Sequence, residues 1–422
     1  MTDTLKKLLI LTGDPSADVH CAKLIRQFQA KQDNKISPTQ ASEDFIAPCA
    51  QDIEIHAVGG HDMAATGIHL IASHENMGVF GLFGALRAIP YHKQLAQKIL
   101  QHVATWQPDA ILLVDYGGFH LWLAQQLKKK FPHIKRYYFI PPQLWASRPW
   151  RVKKIQAAID HVFCIFPFEV DFYQKHHVPV TFVGHPSLDS NETPMSHAEF
   201  CKTHQLDPQA WIIGVFPGSR RSELKSLLAD FLATLPLLQE QIAHPLEFVL
   251  VQAPSISDDL LNEHLRPHQH LLEGISLKII KGNSAQVLTH CRAAMMASGT
   301  ITLEAAIHQT PGILAYKINQ VIHFLFKRYL LVPYIGLPNI ILNQEVMPEF
   351  INKHVKPEQI AQQLKPVIED GPHRDQTLTL LAQTQQNLSP DDENTQPFSS
   401  ILMQALTLSN TTPSNILVTS IH

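Results

Sequence analysis

The sequence offers no disulfide framework. Its five cysteines, Cys21, Cys49, Cys164, Cys201 and Cys291, are odd in number, widely spaced and without a CxxC pair. That excludes a stapled secreted scaffold and a cysteine zinc site, and fits a reducing compartment. No window reaches roughly 18 apolar residues without charge, so no membrane-spanning helix is expected. The opening MTDTLKKLLILTGD has too short an apolar run for a signal peptide and is expected to form a first β-strand. A formal net charge of −3 supplies no basic field for nucleic acid. There is no HExxH, so no metal site is expected among the histidines. The absence of GxGxxG argues against a dehydrogenase, and the absence of Gly-x-Ser-x-Gly against a hydrolase elbow.

What is present is a rhythm. Short apolar runs alternate with amphipathic stretches, separated by Gly, Pro and Ser turns. Strand candidates are 7–13, 53–60, 110–118, 135–142 and 161–167, with helical patterns at 18–30, 92–105 and 119–130. A second set follows at 211–219, 246–254, 276–282, 293–299 and 311–317. Short buried strands alternating with helices predict βαβ units and parallel sheets. The turn-rich stretch 181–197 reads as a linker. The expected fold class is therefore α/β, with two Rossmann-like doubly wound domains facing a cleft, at 1–185 and 186–375. Residues 31–52 read as a surface insertion and 386–422 as a disordered tail, with the last helices before it packing back on the N-terminal half.

Four turns carry candidate chemistry. Gly13-Asp14-Pro15-Ser16-Ala17-Asp18 joins a strand to a helix, where backbone amides and the helix dipole suit an anionic or hydroxyl-rich ligand. Alternatively, Ser16 or Asp18 merely caps the helix. Asp115 ends an apolar strand, and open α/β sheets bind ligands outside such ends. It is a candidate general base, with Asp14 and Asp18 next in line; the other reading is a turn aspartate before glycines. Gly218, Ser219 and Arg220 form a strand–Gly–helix turn that suits a phosphate, with Arg220 as its bidentate partner, or else a solvated surface turn. Ser298, Gly299 and Thr300 repeat that logic, with Glu304 one helical turn on, unless Thr300 simply caps the helix. Two such turns in one half favour a diphosphate site.

The motifs PPQLWASRPWRVKKI (141–155), FPFEVDFY (166–173), VGHPSLD (183–189), PGSRRSE (217–223), ASGTITLEAA (297–306) and GLPNIILNQEVMPE (336–349) stand in order. Together they resemble lipid-A-disaccharide synthases over roughly residues 6–375. The resemblance implies a GT-B fold and transfer of 2,3-diacylglucosamine from UDP to the 6-hydroxyl of 2,3-diacylglucosamine 1-phosphate, with inversion, without metal or cofactor. By motif position, Asp115 matches the family's proposed base, Arg220 and Glu304 its nucleotide-binding pair, and Asn339 the asparagine of its LPN motif. The family's AGExSGD reads TGDPSAD here, so Asp14 stands for a glutamate and Ala17 for a glycine. Its second acceptor-side aspartate is Gly118 and its asparagine His120. A related GT-B transferase for another lipid-linked or UDP-activated sugar, or an inactive nucleotide-sugar-binding paralogue, remains an alternative.

The implied partners are the two acyl-sugar substrates and the cytoplasmic membrane surface, with the chain peripheral on the inner face of the inner membrane; a homodimer is compatible. Residues 77–91 carry Val79, Phe80, Leu82 and Phe83 with only Arg87 charged, a stretch too short to span a bilayer but suited to shallow insertion. A second candidate is 323–334. Either segment could instead pack in the core.

Overall fold

The computed structural model describes residues 5–33, 53–73, 82–189, 195–317, 332–390 and 396–408. The chain divides into two compact units, Met1–Pro186 with Pro390–His422, and Ser187–Ser389.

The first unit is built on seven parallel strands: β1 (Lys6–Leu11), β2 (Ile53–Gly59), β3 (His69–Ser73), β4 (Ala110–Val114), β5 (Lys135–Phe139), β6 (His161–Cys164) and β7 (Val180–Phe182). Their order is β3-β2-β1-β4-β5-β6-β7. The all-apolar β4, AILLV, is buried at all five positions. A strand buried on both faces needs helices on both faces, which parallel crossovers supply. The chain runs outward from β1 through β2 and β3, then returns to pair β4 on the other side of β1. The carboxyl ends of β1 and β4 therefore form a topological switch point, where the crossover loops diverge and leave a crevice.

The second unit repeats the plan with β8 (Trp211–Phe216), β9 (Leu246–Gln252), β10 (Leu277–Lys281), β11 (Ala293–Ala297), β12 (Gly312–Tyr316) and β13 (Glu349–Ile351), in the order β10-β9-β8-β11-β12-β13. Its switch point lies between β8 and β11. The helix Arg221–Gln241 buries Leu224, Leu227, Leu228, Phe231, Leu232, Leu235 and Leu238 in the core of this unit, an i, i+3, i+4 stripe.

The stretch read as a tail from 386 onward contains a helix instead, and a longer helix runs into its start. Pro372–Leu388 is one helix and Phe398–Leu408 another. Leu402 and Leu406 are fully buried. Phe398 lies 4.4 Å from the Phe139 ring and 5.1 Å from Phe163, and the Tyr137 hydroxyl donates to Ala405 O at 2.9 Å. Phe398, Leu402 and Leu406 recur every four residues, and that one-sided apolar stripe outweighs the polar composition around it. Residues 409–422 lie outside the described residues, as do 34–52 of the expected insertion, Val79, Phe80 and 323–331. Leu82 and Phe83 begin a 25-residue helix, Leu82–Trp106, on which Ile89 is 44% exposed. Among the described residues no helix is long and apolar enough to cross a membrane.

Candidate active site

At the first switch point two acidic turns meet. Asp14 follows β1 and caps the helix Pro15–Asp33: its Oδ1 accepts from Ala17 N at 2.9 Å and its carbonyl from Asp18 N at 3.1 Å. The cap is thus Asp14 itself rather than Ser16 or Asp18, with proline in the first helical position. Asp115 follows β4, and its side chain hydrogen-bonds to that of Asp14. Burial, and then the charge of Asp14 together with that hydrogen bond, push the Asp115 carboxyl up to about 7, against a bond from Tyr116 N at 2.7 Å that favours the ionised form. A second negative charge beside Asp14 is disfavoured, and that repulsion adds to burial in holding the Asp115 carboxyl above the ordinary carboxylate range.

The turn carrying Asp115 is strained. Asp115, Tyr116 and Ile140, all at strand carboxyl ends beside the pair, have φ of +50°, +49° and +53°. Left-handed backbone disfavours a residue with a Cβ, and β-branched Ile140 most of all. The Tyr116 hydroxyl meets His92 Nε2 at 3.0 Å. His120 is fully buried and held neutral, its pKa lowered to about 4 by burial. A Cβ at Gly118, where the resemblance has a second aspartate, would meet nothing within 4 Å. Nearby, burial lowers His20 to about 4, and burial with the His20 charge lowers His185 to about 3.

Asp18 does not join this pair. It is 2% exposed, and its two oxygens accept from Gly60 N at 2.6 Å and Asp62 N at 2.8 Å, tying the first helix to the turn after β2. Where an acceptor-side or reserve catalytic group was expected, both oxygens of this carboxylate are taken by backbone amides. Ser16 is exposed in the first helical turn.

At the second switch point the Gly218 turn is filled from within. Glu223 Oε2 accepts from Ser219 N at 3.0 Å and Arg220 N at 3.2 Å, and Oε1 pairs with Arg220 Nη1 at 3.0 Å. Gly218 has φ +109°, and a Cβ there would stand 2.5 Å from Glu223. The amides read as a phosphate cradle are therefore committed to a carboxylate. The Arg220 side chain is 60% exposed, and Ser219 and Arg221 beside it are exposed too. The turn after β11 is different: Ser298 is half-buried, Gly299 and Thr300 are exposed, and the helix Thr300–Ile307 has no side-chain cap. Thr300 is not a capping residue, and this helix start presents amides to solvent at the positive end of the dipole. Glu304 accepts from Ser284 Oγ at 2.8 Å; burial raises its pKa and that bond opposes the rise.

Asn339, expected beside the donor, is engaged within the fold. It is fully buried, its Nδ2 donates to Met347 O (2.8 Å) and Glu349 Oε1 (2.9 Å), and its Oδ1 accepts from Val346 N (2.8 Å) and Met347 N (3.0 Å). An amide has two donors and two acceptor lone pairs, so nothing is left for a ligand. Asn339 instead folds the loop 343–349 and orients Glu349, which also accepts from Ile335 N and Gly336 N. Sequence reasoning missed Glu223, Glu349, Ser284, His92 and Tyr138, whose partners are set by tertiary contact rather than by motif.

Among the described residues no group of three or more His, Cys, Asp or Glu side chains could hold a metal ion. A cavity of about 440 Å³ lined by His197, Trp211, His244, His290, Arg292 and Arg374 lies at the opposite, amino-terminal edge of the second sheet, and no candidate residue lines it.

Comparison with known proteins agrees with the two-unit α/β fold. The lipid-A-disaccharide synthetase family model matches residues 8–397. A lipid-A-disaccharide synthase of Trichlorobacter lovleyi is 35% identical over 368 residues, covering 87% of this chain and 89% of the relative. One of Coxiella burnetii (strain Dugway 5J108-111) is 31% identical over 369 residues, covering 87% and 90%. The crystal structure of UDP-GlcNAc 2-epimerase from Neisseria meningitidis bound to UDP-GlcNAc is 11% identical, covers 95% of this chain and 99% of its own, and superposes with a TM-score of 0.59, a likeness of fold alone. Matched by the family model through both Rossmann-like units and by such relatives along most of its length, this chain belongs to the lipid-A-disaccharide synthase family of glycosyltransferases.

Proposed function

We propose that the chain transfers 2,3-diacylglucosamine from UDP to the 6-hydroxyl of 2,3-diacylglucosamine 1-phosphate, with inversion, giving a β-1,6 disaccharide and UDP. The observation that carries the reading is the Asp14–Asp115 pair at the first switch point, with Asp115 tuned to about 7. A general base works best when its pKa lies near the working pH. As the acceptor O6 bonds to the donor anomeric carbon, Asp115 takes the O6 proton. The bond from that carbon to the β-phosphate oxygen breaks and UDP departs. The charge of Asp14 and its hydrogen bond make Asp115 basic enough to accept the proton, and protonation of Asp115 relieves the repulsion between the two carboxylates.

UDP is assigned to the second unit. The open helix start at Ser298, Gly299 and Thr300 suits phosphate oxygens, Arg220 offers a forked cation, and Glu304 suits ribose hydroxyls. The UDP-GlcNAc held by the Neisseria epimerase supports a nucleotide sugar as ligand of this fold. A peripheral place on the inner face of the cytoplasmic membrane suits amphiphilic substrates, with the segment 77–91 as its contact. Replacing Val79, Phe80, Leu82 and Phe83 with serine should reduce liposome co-sedimentation and leave the cooperative melt intact; a lost melt would make the segment core.

The test is incubation with both acyl sugars, followed by mass spectrometry and NMR of the new linkage. A β-1,6 disaccharide 1-phosphate with equimolar UDP supports the reading. Turnover with another acceptor only, or UDP-sugar binding without any turnover, overturns it.

A further inference from the structure

Asp115 stands in a conformation its own backbone disfavours, so its surroundings must hold it there. Two buried side chains converge on its main-chain carbonyl. His120 Nδ1 lies 2.8 Å from Asp115 O, and the Tyr138 hydroxyl donates to the same oxygen at 2.7 Å. Neither residue has measurable exposure. His120 belongs to the first turns of the helix Gly117–Lys130, and Tyr138 to β5. Asp115 N also donates to Phe139 O at 3.1 Å, so the peptide units on both sides of the Asp115 Cα are fixed.

We infer that His120 and Tyr138 are positioning residues for this reaction: together they clamp Asp115 O and so fix the left-handed turn that aims the Asp115 carboxyl at Asp14. The inference rests on the reading of Asp115 as general base. A carbonyl has two lone pairs, and here both are taken by donors from different elements, one ahead of the turn and one across the sheet. Burial keeps the imidazole neutral, so Nδ1 carries the hydrogen that Asp115 O accepts while Nε2 finds no partner among the described residues. A buried nitrogen without a partner is costly. The ring's polar contribution therefore falls on Nδ1, which bonds to Asp115 O. Neither side chain is placed to touch substrate; both act through Asp115.

The experiment compares His120→Leu, His120→Asn and Tyr138→Phe with Asp115→Asn in the two-substrate assay, each variant first checked for a cooperative melt. A misplaced base costs turnover rather than donor binding, so His120→Leu should lower kcat by roughly 10–100-fold, with KM for the UDP sugar within about twofold. An asparagine amide can donate to the same carbonyl, so His120→Asn should recover to within about threefold of the parent. Tyr138→Phe removes one hydroxyl with little change of shape and should lower kcat by about fivefold. Full kcat in both His120→Leu and Tyr138→Phe, beside an impaired Asp115→Asn, would overturn the clamp and leave the base reading standing. Equal losses in His120→Leu and His120→Asn would also overturn it, since packing alone would then explain the effect. Near-normal turnover of Asp115→Asn would overturn the base reading, and the clamp with it.

Discussion

The ring of Tyr116 lies directly on Gly13. A methyl group at Gly13 would stand 2.2 Å from Tyr116 Cγ and 2.5 Å from its Cβ. This contact locks the turn after β1 to the turn after β4 and so sets the spacing of Asp14 from Asp115. Gly13→Ala should push the ring away, at an overpacking cost of about 1–3 kcal/mol. Urea denaturation should record that loss, and kcat should fall while UDP affinity holds. An alanine variant with parental stability and rate would show that the contact positions nothing.

Asp115 binds its proton more tightly in the folded chain than in the unfolded one. An unfolded aspartate titrates near about 4, whereas the folded carboxyl is pushed up to about 7 by burial and by Asp14. Between these values the folded state holds the extra proton, so stability falls as pH rises through that window and the loss is complete above it. Asp115→Asn cannot ionise and escapes the penalty. Its Tm should exceed the parent's at pH 8, with the gap narrowing through the window and closing below pH about 4. A variant that melts no higher than the parent at pH 8 would place Asp115 in a solvated, unrepelled setting.

Arg220 and Asn339 should separate cleanly. Arg220→Ala removes an exposed cation that can pair with a phosphate. UDP affinity should drop by about 1.5–3 kcal/mol, the scale of a charge-assisted bond, with little change in Tm because its surface pair with Glu223 contributes little. Calorimetry showing unchanged affinity would move the nucleotide away from this turn.

Asn339→Ala leaves Val346 N, Met347 N and Met347 O without their buried partner. Stability should fall by about 1–3 kcal/mol for each group left unpaired, less what relaxation recovers. UDP affinity of the folded variant should stay within about twofold, since no hydrogen bond of Asn339 is available to a ligand. Lost affinity with parental stability would restore Asn339 to the donor site.

The sheets were legible because their strands are short apolar runs ended by turn residues. That rhythm places Asp14, Asp115, Gly218 and Ser298 at strand carboxyl ends. It could not show that Glu223 fills the Gly218 turn or that Asn339 has spent all its hydrogen bonds, because motif position is silent on which way an amide or carboxylate turns. The clamp on Asp115 was hidden for another reason. Tyr138 reaches Asp115 from 23 residues away across the sheet, and its tyrosine reads as ordinary strand core. The helix of Phe398, Leu402 and Leu406 was missed within a polar stretch, because the partners Tyr137, Phe139 and Phe163 of its apolar face lie more than 200 residues back along the chain.

The role of Asp115 is tested most directly by single-turnover transfer at pH 8 with saturating UDP-2,3-diacylglucosamine and 2,3-diacylglucosamine 1-phosphate, comparing the parent with Asp115→Asn. Asparagine keeps the shape and removes the proton acceptor. The expected result is a rate lower by about 10²–10⁴-fold or more, the contribution of a positioned base, with UDP affinity unchanged. Transfer at close to the parental rate would contradict the assignment of Asp115 as the base.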